Sequence, residues 1–225
     1  MEKTTILIIN ENVPFRAQVR KVLSQQSNFH LVDYDLSEDP MTIIDANYPD
    51  VVLLGADTAD FDSVALSREI VRYYPNTRVI VMSPKPNDNE LFEFIKTSAV
   101  AYLDKKTTAE EICITIRRSC RGDYPINENV VTRPIIAQLI LKQFGEIDSM
   151  GSDAERIAAP LTHLEKLILT LVTNCITKKQ IARTLRVNER AIENHVSAIL
   201  RKLINYDRAH SIALSMQEDL ILKER

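Results

Sequence analysis

Glycine is scarce in this chain, with four in 225 residues, and none stands in the repeated pattern that lets a backbone loop cradle phosphates. A nucleotide-binding loop is excluded on that ground. No pairing of a nucleophile with a base stands out either, so the chain is not expected to be an enzyme or to need a cofactor or metal. Cysteine is also rare. Cys113, Cys120 and Cys175 make an odd number without metal-ligand spacing, and all three read as core thiols. Long apolar runs are missing: the longest, such as residues 51–54 and 79–82, are far below the roughly 18 residues that a membrane span needs. With no signal-peptide pattern at the N-terminus, a soluble cytoplasmic protein is expected. There is no internal repeat and no low-complexity tract. What is there is ordinary for a folded soluble protein, 45% hydrophobic and 26% charged, which excludes wholesale disorder.

Net charge is -3, but it is unevenly spread. Residues 160–225 hold 11 Lys+Arg against 7 Asp+Glu, a net of +4, while the remainder holds 17 against 24, a net of -7. A basic C-terminal part on an acidic carrier is a weak electrostatic footprint of nucleic-acid binding.

Short β-branched apolar runs recur at residues 5–9, 31–34, 51–54, 79–82 and 99–103, with stretches of helical periodicity between them, among them 14–25 and 61–74. Few interior polar residues and alternation with helices predict a parallel sheet covered on both faces. Thr108 and Glu111 have capping-box spacing and open a last helix that ends near Gly122. An apolar helical stretch then runs from Pro134 through Ile136, Leu139, Ile140 and Phe144 to an expected stop at Gly145, and residues 148–159 read as a mobile linker. Beyond Pro160 the strand signal is gone. Thr162 with Glu165 and Thr177 with Gln180 repeat the capping-box spacing, and Asn188 is a good N-cap, which predicts helices over 162–173, 177–185 and 188–203. Such short, closely spaced helices suit helix-turn-helix packing. The expected organisation is therefore a domain at 1–122, a connecting helix and flexible linker at 123–159, and an all-α domain at 160–225.

In a doubly wound sheet the ligand site lies at the carboxyl ends of the strands. Those ends hold Asn10 and Glu11, Gly55, Ser83 and Lys105, with Tyr102 in the fifth strand. Their order and spacing resemble the flavodoxin-like receiver domain of two-component response regulators. By that resemblance two acidic residues follow the first strand, a phospho-accepting Asp ends the third, a Ser or Thr ends the fourth and a Lys follows the fifth. Ser83 and Lys105 fit, and Tyr102 takes the place of the family's switch aromatic. Gly55 stands where the acceptor belongs and has no side chain to phosphorylate, and Asn10 removes one carboxylate from the set that Mg²⁺ needs. Asp57, about two residues on, is expected to sit several ångströms from Ser83 and Lys105 and not to substitute. Lys105 is then expected to pair with Glu11 or lie solvated, Ser83 to cap a turn, and Tyr102 to be a packed interface aromatic. The domain is expected to act without aspartyl phosphorylation, as a dimerisation surface or as a receptor for a protein or small ligand.

The second domain resembles the LuxR-type helix-turn-helix of NarL/FixJ response regulators, through Leu161-Thr162-His163-Leu164-Glu165, Gln180-Ile181-Ala182, Asn194-His195-Val196 and Ile199-Leu200-Arg201-Lys202-Leu203. Ile192, Val196, Ile199 and Leu203 form one apolar stripe at helical spacing, and His195 beside it reads as a core histidine. The opposite face carries Arg190, Glu193, Asn194, Ser197 and Arg201. A recognition helix docked in the major groove presents this face to DNA, with Asn194 and Ser197 expected to touch bases and Lys178 and Lys179 to position the phosphates. Glu193 departs from the basic residue the family often has; it repels phosphate but can accept from cytosine N4. The resemblance also implies a homodimer through a last helix at about 208–219, with Ile212 and Met216 in the interface or in the core. The expected function is DNA-binding transcription regulation. The competing one is a protein-interaction adaptor with weak or no DNA binding.

Overall fold

The computed structural model describes residues 3–35, 37–149 and 159–223, with side chains described as far as 146 in the connecting region and 209 at the C-terminal end. The chain divides into two compact units, residues 1–126 and 127–225.

In the first unit the strands β1 (Thr4–Ile9), β2 (Phe29–Val32), β3 (Val51–Gly55), β4 (Arg78–Ser83) and β5 (Ala101–Asp104) make one parallel sheet in the order β2-β1-β3-β4-β5. This is the expected flavodoxin-like α/β fold. All five residues of β3 are buried, as continuous apolar runs require when helices cover both faces of a sheet. The helices are α1 (Val13–Leu23), α2 (Pro40–Asn47), α3 (Ser63–Tyr73), α4 (Asp88–Lys96) and α5 (Ala109–Cys120). Each has a side-chain N-cap: Asn12, Asp39, Asp62, Asn87 and Thr108, the last in the full capping box with Glu111. Helix α1 packs beside α5, and α3 beside α4. In-register pairs Ile9–Leu54, Gly55–Met82 and Ser83–Asp104 bring the carboxyl ends of four strands to one edge, which gathers Asn10, Gly55, Ser83 and Lys105.

The second unit begins earlier than the sequence suggests. A short helix α6 (Glu128–Thr132) and the longer α7 (Pro134–Ser149) belong to it. Ile136, Ala137, Ile140 and Phe144 are buried, and α7 packs along α8 (His163–Thr173), so the expected connecting helix is part of the C-terminal core. Nor does α7 stop at Gly145; it continues to Ser149, since an interior glycine costs a helix only about 1 kcal/mol. The mobile linker expected at 148–159 lies almost wholly outside the described residues. Helices α8, α9 (Lys178–Leu185) and α10 (Glu189–Lys223) follow. Both expected capping boxes, Thr162 with Glu165 and Thr177 with Gln180, are complete. The Asn188 carboxamide caps α10 by accepting from the Ala191 N–H at 2.8 Å. A separate last helix at 208–219 is not found: α10 runs unbroken for 35 residues, because 203–209 contains no glycine or proline to end it. Ile212 and Met216 lie within it, with side chains outside those described.

Two thiols depart from expectation. Cys113 is buried and its pKa is raised by burial, but Cys120 and Cys175 are exposed. Cys120 ends α5, and Cys175 follows α8 in a left-handed turn (φ 59°) on the surface, so neither is a core thiol.

Candidate functional site

At the carboxyl edge of the sheet Asn10 is buried and its amide is oriented by two donors. Its Oδ1 accepts from the Asn12 N–H at 2.9 Å and faces the Lys105 Nζ at 3.4 Å. That leaves Nδ2 buried without a partner and aimed at Gly55. A Cβ on residue 55 would stand 2.5 Å from this nitrogen, so the amide fills the space that an acceptor side chain would occupy. Asn10 and Gly55 thus fit one another, and neither supplies a carboxylate.

The expected separation of Asp57 from Lys105 is not found. The Asp57 Oδ1 lies 2.5 Å from the Lys105 Nζ and 3.4 Å from the position of a Cβ on Gly55, not several ångströms off. The loop after β3 turns back over the strand end because Glu11 holds it: Oε1 accepts from the N–H groups of Ala59 at 2.7 Å and Asp60 at 3.1 Å. The Thr58 hydroxyl adds a bond to the Phe61 carbonyl and another to the Ser63 hydroxyl. Lys105 therefore pairs with Asp57 rather than with Glu11, and its ammonium sits over the Phe15 ring, with 10% of the side chain exposed. Glu11 is committed to the loop, Asn10 is neutral and Asp57 is tied to Lys105. A hard octahedral cation such as Mg²⁺ needs free carboxylate oxygens, and these residues do not fit it. Among the described residues no three His, Cys, Asp or Glu side chains cluster as metal ligands.

Ser83 is fully buried and its Oγ accepts from the Lys85 N–H at 3.3 Å, a turn-capping bond of the expected kind. Tyr102 is turned inward against Phe94, not outward as an interface aromatic. Its hydroxyl donates to the Glu90 carboxylate at 2.5 Å and accepts from the Asn87 N–H at 3.2 Å. Burial, and then the bond to Glu90, push its pKa up to about 12. The ring reaches this place because Phe94 and Glu90 lie on the same helix, α4, one turn apart.

In the second unit Ile192, Val196, Ile199 and Leu203 are buried as the apolar stripe predicts. At 100° per residue, Arg190, Glu193, Asn194, Ser197 and Arg201 fall within about 100° of arc on the other side of α10. Arg190, Glu193, Asn194 and Arg201 are exposed, and His195 is half-buried rather than a core residue. Lys179 is exposed on α9. Three of the expected DNA-facing residues, Lys178, Glu193 and Ser197, are already engaged. Lys178 Nζ stands 2.6 Å from a Glu193 carboxylate oxygen and 3.6 Å from Glu189, and the bond to Glu193 is the main cause of its raised pKa. Ser197 donates to the Glu193 carbonyl at 2.9 Å and accepts from the Asn127 carboxamide at 3.0 Å.

One functional support has only a partial sequence signal. Glu165, the second member of a capping box, is buried and bonded to Lys202 at 2.7 Å, while Lys202 also donates to the Pro160 carbonyl at 2.9 Å. This pair ties the start of α8 to α10. The capping spacing marks Glu165, but nothing in the spacing marks its distant partner.

Residues 6–117 match the family model described as response regulator receiver domain, and residues 159–215 match the model for bacterial regulatory proteins of the luxR family. The chain is 26% identical over 221 residues to the transcriptional regulatory protein DegU of Brevibacillus brevis, which covers 96% of this chain and 94% of that protein. It is 25% identical over 219 residues to the response regulator protein VraR of Staphylococcus saprophyticus, covering 96% and 98%. Among solved structures, a two-component response regulator of the LuxR family from an Aurantimonas species aligns with a TM-score of 0.51 at 16% identity, over 63% of this chain and 98% of that one. That last likeness is one of fold. Among the described residues no helix is long and apolar enough to cross a membrane.

Proposed function

Since the chain belongs to the NarL/FixJ response regulators, DNA-binding transcription regulators with a LuxR-type helix-turn-helix, we propose that it regulates transcription without aspartyl phosphorylation. The observation that carries this reading is the filled acceptor position. Gly55 ends β3 with no side chain, the Asn10 amide occupies the space beside it, and the nearby carboxylate of Asp57 is bound to Lys105. A phosphoryl group on Asp57 would add negative charge at a strand edge where Asn10 and Gly55 supply no carboxylate to hold the Mg²⁺ that offsets it. Input then comes to the receiver-like unit as a protein or small ligand, in the cytoplasm, and output is a homodimer on duplex DNA. Arg190, Asn194 and Arg201 with Lys179 offer the free donors that phosphates and base edges need, while Lys178, Glu193 and Ser197 enter with partners of their own.

Incubation of the full chain with a small-molecule phosphodonor and Mg²⁺ leaves its intact mass unchanged; a gain of one phosphate, mapped to Asp57 or Glu11, is the result that sinks this proposal. Duplex DNA binding is expected to weaken steeply as salt rises, because Lys and Arg displace condensed counterions. The exposed Glu193 carboxylate favours a second reading, that of a protein-interaction adaptor. Absence of duplex binding at low salt would decide for it.

A further inference from the structure

Glu193 lies on a helix face made otherwise of Arg190, Asn194, Ser197 and Arg201, with a second acidic side chain, Glu189, one turn before it at the edge of that face. An uncompensated carboxylate there opposes the approach of phosphates. The Glu193 carboxylate is compensated: the Lys178 ammonium from the neighbouring helix α9 lies 2.6 Å from it, and 3.6 Å from Glu189, so Glu193 is the nearer of the two carboxylates that share this lysine. The pair is not buried in protein, since 52% of the Glu193 side chain and 29% of the Lys178 side chain are exposed. One carboxylate oxygen is held by Lys178, and acceptor capacity remains for a further donor, because an ionised carboxylate accepts at four lone-pair sites.

The base that suits such a group follows from the pattern of the major groove. Guanine shows two acceptors and thymine an acceptor beside a methyl group, and neither gives a carboxylate a hydrogen. Adenine offers its N6 amine, but next to the N7 acceptor that a carboxylate cannot satisfy. Cytosine offers the N4 amine without a competing acceptor at its side. Resting on the DNA-binding reading above, we propose that Glu193 is a specificity-determining residue that selects a cytosine in each half-site, and that Lys178 is its positioning residue, which holds the carboxylate in place and offsets its charge. The departure from a basic residue at this position is then a change of the base that is read, not a loss of the site.

Selection from a random duplex library with the full-length protein tests this. The wild type selects cytosine at one position of each half-site. Glu193→Gln, which keeps the shape but has both a donor and an acceptor, loses that preference by about tenfold, in line with 1–3 kcal/mol per specific base contact, and shifts it to adenine; the other positions stay as they are. Lys178→Met weakens binding to every sequence and blunts the cytosine preference without moving it to another base, and in the Glu193→Gln background it weakens binding less. An unchanged motif in Glu193→Gln, with or without uniformly tighter binding, overturns the proposal and leaves the carboxylate as a purely repulsive group. A motif that shifts in Lys178→Met alone overturns it too, by assigning the reading to the lysine. Failure of the wild type to retain any duplex at low salt defeats the DNA-binding reading itself and this proposal with it, a result distinct from an unchanged motif.

Discussion

Lys202→Met lowers the stability of the second unit by about 3 kcal/mol, the scale expected when one partner of a buried ion pair is removed. The cost comes mainly from what is left behind. Glu165 is 4% exposed, and without Lys202 its carboxylate keeps only the bonds from Thr162, whose backbone N–H donates to it at 2.7 Å. The chain has no tryptophan to report on unfolding, so segment-resolved hydrogen exchange of the full protein is the measurement. Protection of 163–203 falls by about 100-fold, since about 1.4 kcal/mol is a factor of ten. Glu165→Gln combined with Lys202→Met restores much of the loss, because glutamine still serves the capping box and carries no charge to strand. Protection unchanged in Lys202→Met would reduce the pair to a surface contact. The same pair sets an acid limit. Burial raises the Glu165 pKa, but the bonds from Lys202 and Thr162 outweigh it and leave the group below its ordinary value. A depressed folded-state pKa gives stability that is fully present above the unfolded-state value and is lost as pH falls through the folded one. The wild type therefore loses protection below the usual carboxylate range, and Glu165→Gln loses less in that window.

Gly55→Ala, one methyl group, lowers the stability of the first unit by about 2 kcal/mol, the ordinary cost of overpacking a filled site. Backbone conformation is not the cause, since Gly55 is an ordinary strand residue paired with Met82. The new Cβ meets the Asn10 amide at 2.5 Å, and that amide cannot swing away freely because it holds the Asn12 N–H. Asn10→Ala clears the space and also removes a buried donor with no partner. The double variant should then be more stable than the sum of the single ones, by about 1 kcal/mol of coupling. Chemical denaturation followed by exchange in β1 and β3 measures it. Additive single effects would mean that Asn10 does not hold position 55 closed. Restoring an acceptor as Gly55→Asp meets the same amide and sets a second carboxylate beside Asp57.

The parts of this architecture that were legible in the sequence are those set by local chemistry. Period and β-branching placed all five strands to within a few residues, and Thr108, Thr162 and Thr177 marked helix starts because a capping box is written within four residues. The endings were less legible. Gly145 reads as a stop, yet α7 passes through it, since packing of Ile140 and Phe144 on α8 outweighs one glycine. Leu203 reads as the end of a recognition helix, yet with nothing to break it α10 goes on. The candidate sites were legible in membership and not in wiring. Asn10, Gly55, Ser83 and Lys105 were found because strand register gathers strand ends, but Asp57 reaches Lys105 only because Glu11, from another strand end, folds the intervening loop back. Lys178 with Glu193 and Asn127 with Ser197 are likewise pairs between separate elements, and no spacing within one element predicts them.

The bond between Asn127 and Ser197 limits what that serine can say to DNA. A hydroxyl has one hydrogen and two lone pairs. The hydrogen of Ser197 is given to the Glu193 carbonyl and one lone pair to the Asn127 amide. A single lone pair remains. A phosphate oxygen offers only lone pairs in return, so in this arrangement Ser197 has nothing to exchange with the DNA backbone, and a base edge can meet it only through an amine hydrogen. To address phosphate the serine must first turn its hydrogen away from the helix, and to address a second amine it must release the segment that precedes α6.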